Sequence, residues 1–279
     1  MRVKFALLLF LCPPLMSCSN LFTDLSDRDS NKAKLYDAKR ALDRSDWTVA
    51  IEKLNSLSST YLLRRDVRAM LASAYAGRCG MDFLNLVDAI SNNTDPAATL
   101  FKTLMATMTD ATDASIIDCY TAESTLNSIG VASDRTVDEN LLMAFVQFGK
   151  IGAILNFLAD VDGNNEFSTP GDAAFDPCQN TSLPESDTAT SKASANQLVA
   201  SLAILIEALE ATSSTIAQDD LGDLQAICDQ AGTVNDICSA TDASAVTTDQ
   251  RRTIRAIIRG NEVGFKIPDA PAAGLLCGS

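Results

Sequence analysis

The side chains able to do chemistry in this chain are thiols and carboxylates: it carries 8 cysteines and 36 aspartates and glutamates, and no histidine. Without an imidazole, Ser-His-Asp and Cys-His nucleophile systems and histidine metal sites are excluded. Phosphate-binding glycine loops and the nucleophile elbow of hydrolases are absent as well. Carboxylate pairs such as Asp219 and Asp220 are too common among so many acids to mark a general acid and base; their ordinary role is solvation or charge at a helix N-terminus. The chain therefore reads as non-enzymatic. Its chemistry is expected in the thiols, by acylation and crosslinking, and in one loop rich in oxygen ligands.

Cys18 closes an ordered N-terminal pattern. Arg2 and Lys4 precede the apolar run Phe5 to Leu11, then Leu15, Met16, Ser17 and Cys18. A short basic region followed by an apolar run too short to cross about 30 Å of hydrocarbon is a secretory signal. Leu-Met-Ser-Cys resembles the lipobox of bacterial lipoproteins. The resemblance implies that residues 1–17 are a cleaved signal, that Cys18 becomes the acylated first residue of the mature protein, and that Ser19, in place of an aspartate, sends it to the outer membrane. Several acyl chains, at about 0.8 kcal/mol per buried methylene, anchor a protein stably. Residues 18–30 are polar and read as a lipidated tether.

Export also changes the reading of the other thiols, because disulfides persist outside the reducing cytosol. With Cys12 and Cys18 set aside, Cys79, Cys119, Cys178, Cys228, Cys238 and Cys277 remain. Six cysteines allow fifteen pairings that sequence does not rank. Cys228 and Cys238 are close enough to clip a short loop; the expected set adds Cys79 with Cys119 and Cys178 with Cys277. A metal site is disfavoured, since there is no CxxC pair.

The formal charge is −14, and the loss of Arg2 and Lys4 leaves the mature chain at −16. Nucleic acid is an unsuitable partner for such a surface. The densest basic groups are Arg64, Arg65 and Arg68, then Arg251, Arg252, Arg255 and Arg259, all on expected helices among acids. They read as solvated faces or interface salt bridges.

The elements that position these groups are helices. Alanine, leucine, serine and aspartate dominate, and alternating strand patterns are hard to find. We expect an all-α protein, with residues 31–279 forming one helical domain. Helices are expected at about 31–43, 46–58, 65–77 and 81–91, then from an Asp95-Pro96 cap to about 108. Others are expected at about 114–128, 137–160, 190–212, 219–230 and 247–259, with region 92–161 wholly helical in character and 188–279 closing the chain.

Ala38, Ala41, Trp47, Ala50 and Leu54 follow the small, small, aromatic, small, large spacing of a tetratricopeptide hairpin, and Ala72 and Tyr75 stand 34 residues after Ala38 and Ala41. Residues 31–91 thus resemble tetratricopeptide repeats. Small residues in this pattern let two antiparallel helices approach closely. The second copy departs from the pattern at Leu84, and with fewer than three repeats no long solenoid groove is implied.

Two segments are apolar nearly all round: Leu141–Leu158, where Gln147, Lys150 and Asn156 point in roughly three different directions at 100° per residue, and Leu198–Leu209. Both fit central helices of a large core. Both also fit contacts with lipid or a neighbouring subunit through Leu141, Leu142, Phe145, Phe148, Ile151, Ile154, Leu155, Leu158, Leu202, Leu205 and Leu209. The lipobox, the ASAYAGRCGMDFLNLV stretch at 72–87, DENLLMAF at 138–145 and the DxDG…FDPC loop together resemble helical outer-membrane lipoproteins of predatory and related deltaproteobacteria. That resemblance implies a ring-like homo-oligomer enclosing membrane lipid. The alternative is a lipid-tethered periplasmic adaptor whose hairpins bind a protein partner.

Between the two apolar segments lies an acidic loop, 162–187. Asp160, Asp162, Asn164 and Glu166 place oxygens at alternate positions, as a calcium loop requires. Asn165 stands where an EF-hand has glycine, and Gly171 where it has its bidentate glutamate. An acidic turn capping its neighbours is therefore the first expectation and calcium the weaker one. Apart from that ion and the acyl chains, no cofactor is expected.

Overall fold

The computed structural model describes residues 27–91, 99–167, 170–212, 228, 236–261, 263–267 and 277. The expected signal, Cys18, most of the tether, the Asp95-Pro96 cap and nearly all of the expected 219–230 helix lie outside the described residues. Among the described residues the fold is all-α, without strands: α1 Asn31–Leu42, α2 Trp47–Asn55, α3 Ser59–Leu62, α4 Arg65–Arg78, α5 Phe83–Ser91, α6 Leu100–Ala106, α7 Asp113–Asn127, α8 Val137–Ala159, α9 Ala195–Ala211 and α10 Thr248–Arg259.

Polar caps set the starts. Thr112, Thr136 and Thr247 form reciprocal capping boxes with Ser115, Glu139 and Gln250 at α7, α8 and α10. Two helices begin later than the sequence predicts. Thr99 is extended, so α6 starts at Leu100 rather than near residue 96. The start of α9 is Ala195 rather than residue 190, because Asp187 gathers the Lys192 ammonium, the Ser194 hydroxyl and the Gln197 amide into a turn, and Ser194 caps the helix. The helix expected from 46 to 58 is α2, which ends at Asn55, and the separate short α3 follows from Ser59.

Burial divides the chain into a small core and a large one. Ala38, Ala41, Ala50, Ile51, Leu54 and Leu57 close α1 onto α2. One face of α4 adds Val67 and Ala74 to that core, while its other face sends Ala72, Ala76 and Cys79 into the large core, with Tyr75 touching both. In the large core α8 is the axis: α9, α6, α7 and α4 all pack on it, and α10 covers α9. The expected second hairpin does not close, because α4 packs on α7 instead of α5. Leu84 is 75% exposed where its counterpart one period earlier, Ala50, is fully buried.

The three disulfides are Cys79–Cys119, Cys178–Cys277 and Cys228–Cys238, with Cα separations of 5.2, 5.3 and 5.8 Å, the pairs expected above. The first ties α4 to α7, reinforced by a bidentate Arg78–Asp118 pair at 2.7 Å. The acidic loop is largely exposed but anchored at Asp172, Phe175 and Leu183, which are buried. Phe167 stacks on Phe265 at 4.4 Å, with Phe175 edge-on to both.

Candidate functional site

The residues expected to meet lipid or a second subunit separate into two groups. Ile151, Ile154, Leu155, Leu202 and Leu205 are at most 2% exposed and belong to the chain's own core. This corrects their assignment as contact residues: α8 and α9 lie along each other, and the surrounding helices cover what remains. Leu141, Leu142, Phe145, Phe148, Leu158 and Leu209 are half-buried at the margin. Among the described residues α8 alone has the length and apolarity to cross a membrane, and 67% of its most apolar 18-residue stretch is buried inside the chain.

The polar residues of α8 find partners on two sides of the core, although the buried Gln147 Oε1 has no hydrogen bond among the described residues. Lys150 is fully buried and its Nζ lies 2.7 Å from Glu123 Oε2 on α7. Gln147 donates to the same oxygen at 3.2 Å. Lys150 also stands 5.5 Å from the centre of the Tyr120 ring, and Lys192 stands 4.9 Å from it. Asn156 donates to the Met108 carbonyl and accepts from the Ala111 N–H, both at 2.9 Å, fixing the turn before α7.

At the N-terminus of α8, Glu139 is shared between its capping box and Arg65 of α4, whose guanidinium grips it at 2.7 and 2.5 Å. That guanidinium, together with the N–H and hydroxyl of Thr136, outweighs burial and holds the Glu139 carboxyl down at about 2. The first basic group is accordingly structural: Arg64 pairs with Asp66, Arg65 with Glu139, and Arg68 donates to the carbonyls of Leu62 and Ser128.

These elements also build a groove of about 690 Å³ between the N-terminal hairpin and α8. Its apolar lining is Trp47, Met81, Leu84, Leu142 and Phe145. Gly77 forms the floor, where a Cβ would meet the Trp47 ring at 2.5 Å. Asp82 is the one charged side chain lining the groove among the described residues. Leu84 at 75% and Val87 at 39% exposure extend the apolar surface along α5. The tetratricopeptide-like spacing marks Trp47 as the packing residue of its hairpin, but nothing in the sequence places Leu142 and Phe145 in the same groove.

In the acidic loop, one carboxylate oxygen each of Asp160, Asp162 and Asp172 lie within 4.8 Å of one another. Three hard oxygen donors at this separation match the chemistry of a calcium ligand set. The carboxylates also cap backbone: Asp160 accepts from the N–H groups of Asn164 and Asn165, and Asp172 from those of Val161 and Asp162. Of the expected oxygens, Asn164 bonds to Asp162 and to the Glu166 N–H, and Glu166 is outside the cluster. Asp172, buried and central, is the member that alternate spacing could not reveal.

No protein-family model, curated protein or solved structure matches the chain.

Proposed function

We propose that the mature chain is a non-enzymatic outer-membrane lipoprotein, acylated on Cys18, that works as an adaptor: its groove receives an amphipathic helix of a partner protein. The observation that carries this reading is the groove itself, an apolar trough that includes the exposed Leu84 and, among the described residues, is charged only at Asp82. An apolar helix face with basic flanks complements it, and a chain of formal charge −14 steers such a partner. The tetratricopeptide-like spacing of residues 31–91 supports the same use of the hairpin. Trp47 is the sole tryptophan, so its fluorescence reports the site directly. A helical Leu/Lys peptide is expected to shift that emission saturably, and Leu84→Asp or Leu142→Asp to abolish the response. Emission indifferent to the peptide would overturn the assignment.

The second reading is a lipid-enclosing homo-oligomer. It draws support from the span-length α8 and from the half-buried Leu141, Phe148 and Leu158 beside Phe157, which is 38% exposed. Native mass and phospholipid content of the chain lacking residues 1–18, with and without mild detergent, separate the two. A detergent-dependent ring carrying phospholipid supports the oligomer, and a lipid-free monomer supports the adaptor.

A further inference from the structure

The second arginine group differs from the first, because its charges are not all answered by carboxylates. Arg251, Arg255 and Arg259 recur every four residues and share one face of α10. Arg259 reaches Asp176 at 3.3 Å. Arg251 donates to the Val246 carbonyl, Asn196 and Thr248, while its buried Nε has no hydrogen bond and lies 3.7 Å from Glu185. Arg255 is 5% exposed and has no carboxylate within ion-pair distance among the described residues. Its Nη2 donates to Asn180 Oδ1 and the Leu183 carbonyl, each at 2.5 Å, and its buried Nε has no partner.

A buried guanidinium with neutral partners alone is costly, because carbonyl dipoles replace water incompletely and leave the net charge uncompensated. Burial pushes the Arg255 guanidinium below its usual range; the more distant Glu185 carboxylate opposes that push and the neighbouring Arg251 adds to it. The group opens onto a pocket of about 280 Å³ that also receives Arg251 and Arg252 and is walled by Gln179, Asn180 and Thr181. Among the described residues the one carboxylate that Arg252 approaches is the exposed Asp249, at 3.9 Å. Among the described residues Glu185 is the single acid lining the pocket, against three arginines. Cys178, which also lines the pocket, is tied to Cys277 by a disulfide.

We infer that this pocket binds a phosphate-class oxyanion between Arg251, Arg252 and Arg255, with the Thr181 hydroxyl and Gln179 amide as further donors at its rim. Guanidinium forks match the tetrahedral oxygens of phosphate in pairs, and a doubly charged anion answers the excess positive charge that the protein leaves uncompensated. The pocket has room for a phosphate or a small phosphomonoester, whereas a bulky partner would have to stand outside it. The source is either a soluble phosphate compound or the headgroup of a phospholipid.

The test is isothermal titration of the mature, acylated chain in non-ionic micelles at constant ionic strength, with inorganic phosphate in one arm and phosphatidylglycerol-doped micelles in the other. Saturable one-site binding is expected in at least one arm. Arg252→Gln, at a half-exposed position, keeps the fold and should weaken it at least about tenfold, the value of one lost charge-assisted hydrogen bond. Binding of phosphate alone assigns a soluble ligand, and binding of the doped micelles alone assigns a headgroup. Absence of saturable binding in both arms, or binding unchanged in Arg252→Gln, overturns the site. Circular dichroism of the variant shows that its fold is retained.

Discussion

Lys150 on α8 and Glu123 on α7 form a buried ion pair with 2.7 Å between Nζ and Oε2, and the lysine has no solvent exposure. A charge in such a place is tolerated only with its partner, so the two residues should behave as a unit. Lys150→Met leaves Glu123 without its cation and should cost about 3–5 kcal/mol. Replacing both by methionine should recover most of that loss, giving a coupling energy of about 2 kcal/mol or more in a double-mutant cycle of urea unfolding. Additive single effects would mean that the pair is not coupled.

Glu139 gives the fold a pH dependence whose sign can be worked out. Its carboxyl titrates near 2 in the folded chain against an ordinary 4.5, so the folded state binds that proton more weakly than the unfolded state does. The contribution is complete above about pH 4.5 and disappears as pH falls towards 2. Glu139→Gln should lower stability by about 1–2 kcal/mol near neutrality, through loss of the Arg65 pair and the weakened cap. The gap between variant and native protein should narrow across that window. A gap independent of pH would assign the effect to packing.

The disulfides should differ in weight according to the chain they enclose. Sequence separations of 99, 40 and 10 residues correspond to loop-entropy contributions of about 4.7, 4 and 3 kcal/mol for Cys178–Cys277, Cys79–Cys119 and Cys228–Cys238. Paired Cys→Ser variants, compared by unfolding midpoint, should follow that order. Reversal of the first and last would show that the unfolded chain is not the main target of the crosslinks.

What the sequence discloses here is local periodicity, and what it conceals is which distant residue answers each charge. The all-round apolarity of Leu141–Leu158 marks a buried helix, and Thr136 with Glu139 marks its start. The partner of Lys150 is another matter: Glu123 lies 27 residues away on a different helix, one acid among 36. Asp172 joins Asp160 and Asp162 from beyond the regular spacing of the loop for the same reason. The small-residue spacing falls on a helix pair, α1 and α2, yet the expected second hairpin fails because Arg78 and Cys79 bind α4 to α7 through long-range contacts. The four arginines of α10 are legible as a helical face, but whether each has a carboxylate is a tertiary fact.

Asp172 should act through the two N–H groups it accepts from, those of Val161 and Asp162, at 2.7 and 3.3 Å. Asp172→Ala removes the carboxylate acceptor of the Asp162 N–H and leaves the Val161 N–H only the Ala159 carbonyl, and should cost about 1–3 kcal/mol. The loss should be the same in chelator and in calcium. A loss seen only with calcium present would transfer the role from capping to cation binding.

Two glycines one turn apart on α8 should respond to alanine with opposite sign. At Gly149 a Cβ would sit 3.4–3.5 Å from Met81, an ordinary contact with a flexible side chain. Gly149→Ala therefore gains helix propensity without a clash and should stabilise by about 0.5–1 kcal/mol. At Gly152 a Cβ would run into the Leu104 carbonyl oxygen and come within 2.9 Å of Met108 Cγ. Backbone cannot rotate away as a side chain can, so α6 must shift off α8. Gly152→Ala should consequently destabilise by about 1–3 kcal/mol despite the same propensity gain. Thermal unfolding of both variants decides the point: equal shifts in one direction would mean that α6 does not approach α8 at Gly152 as closely as its backbone implies.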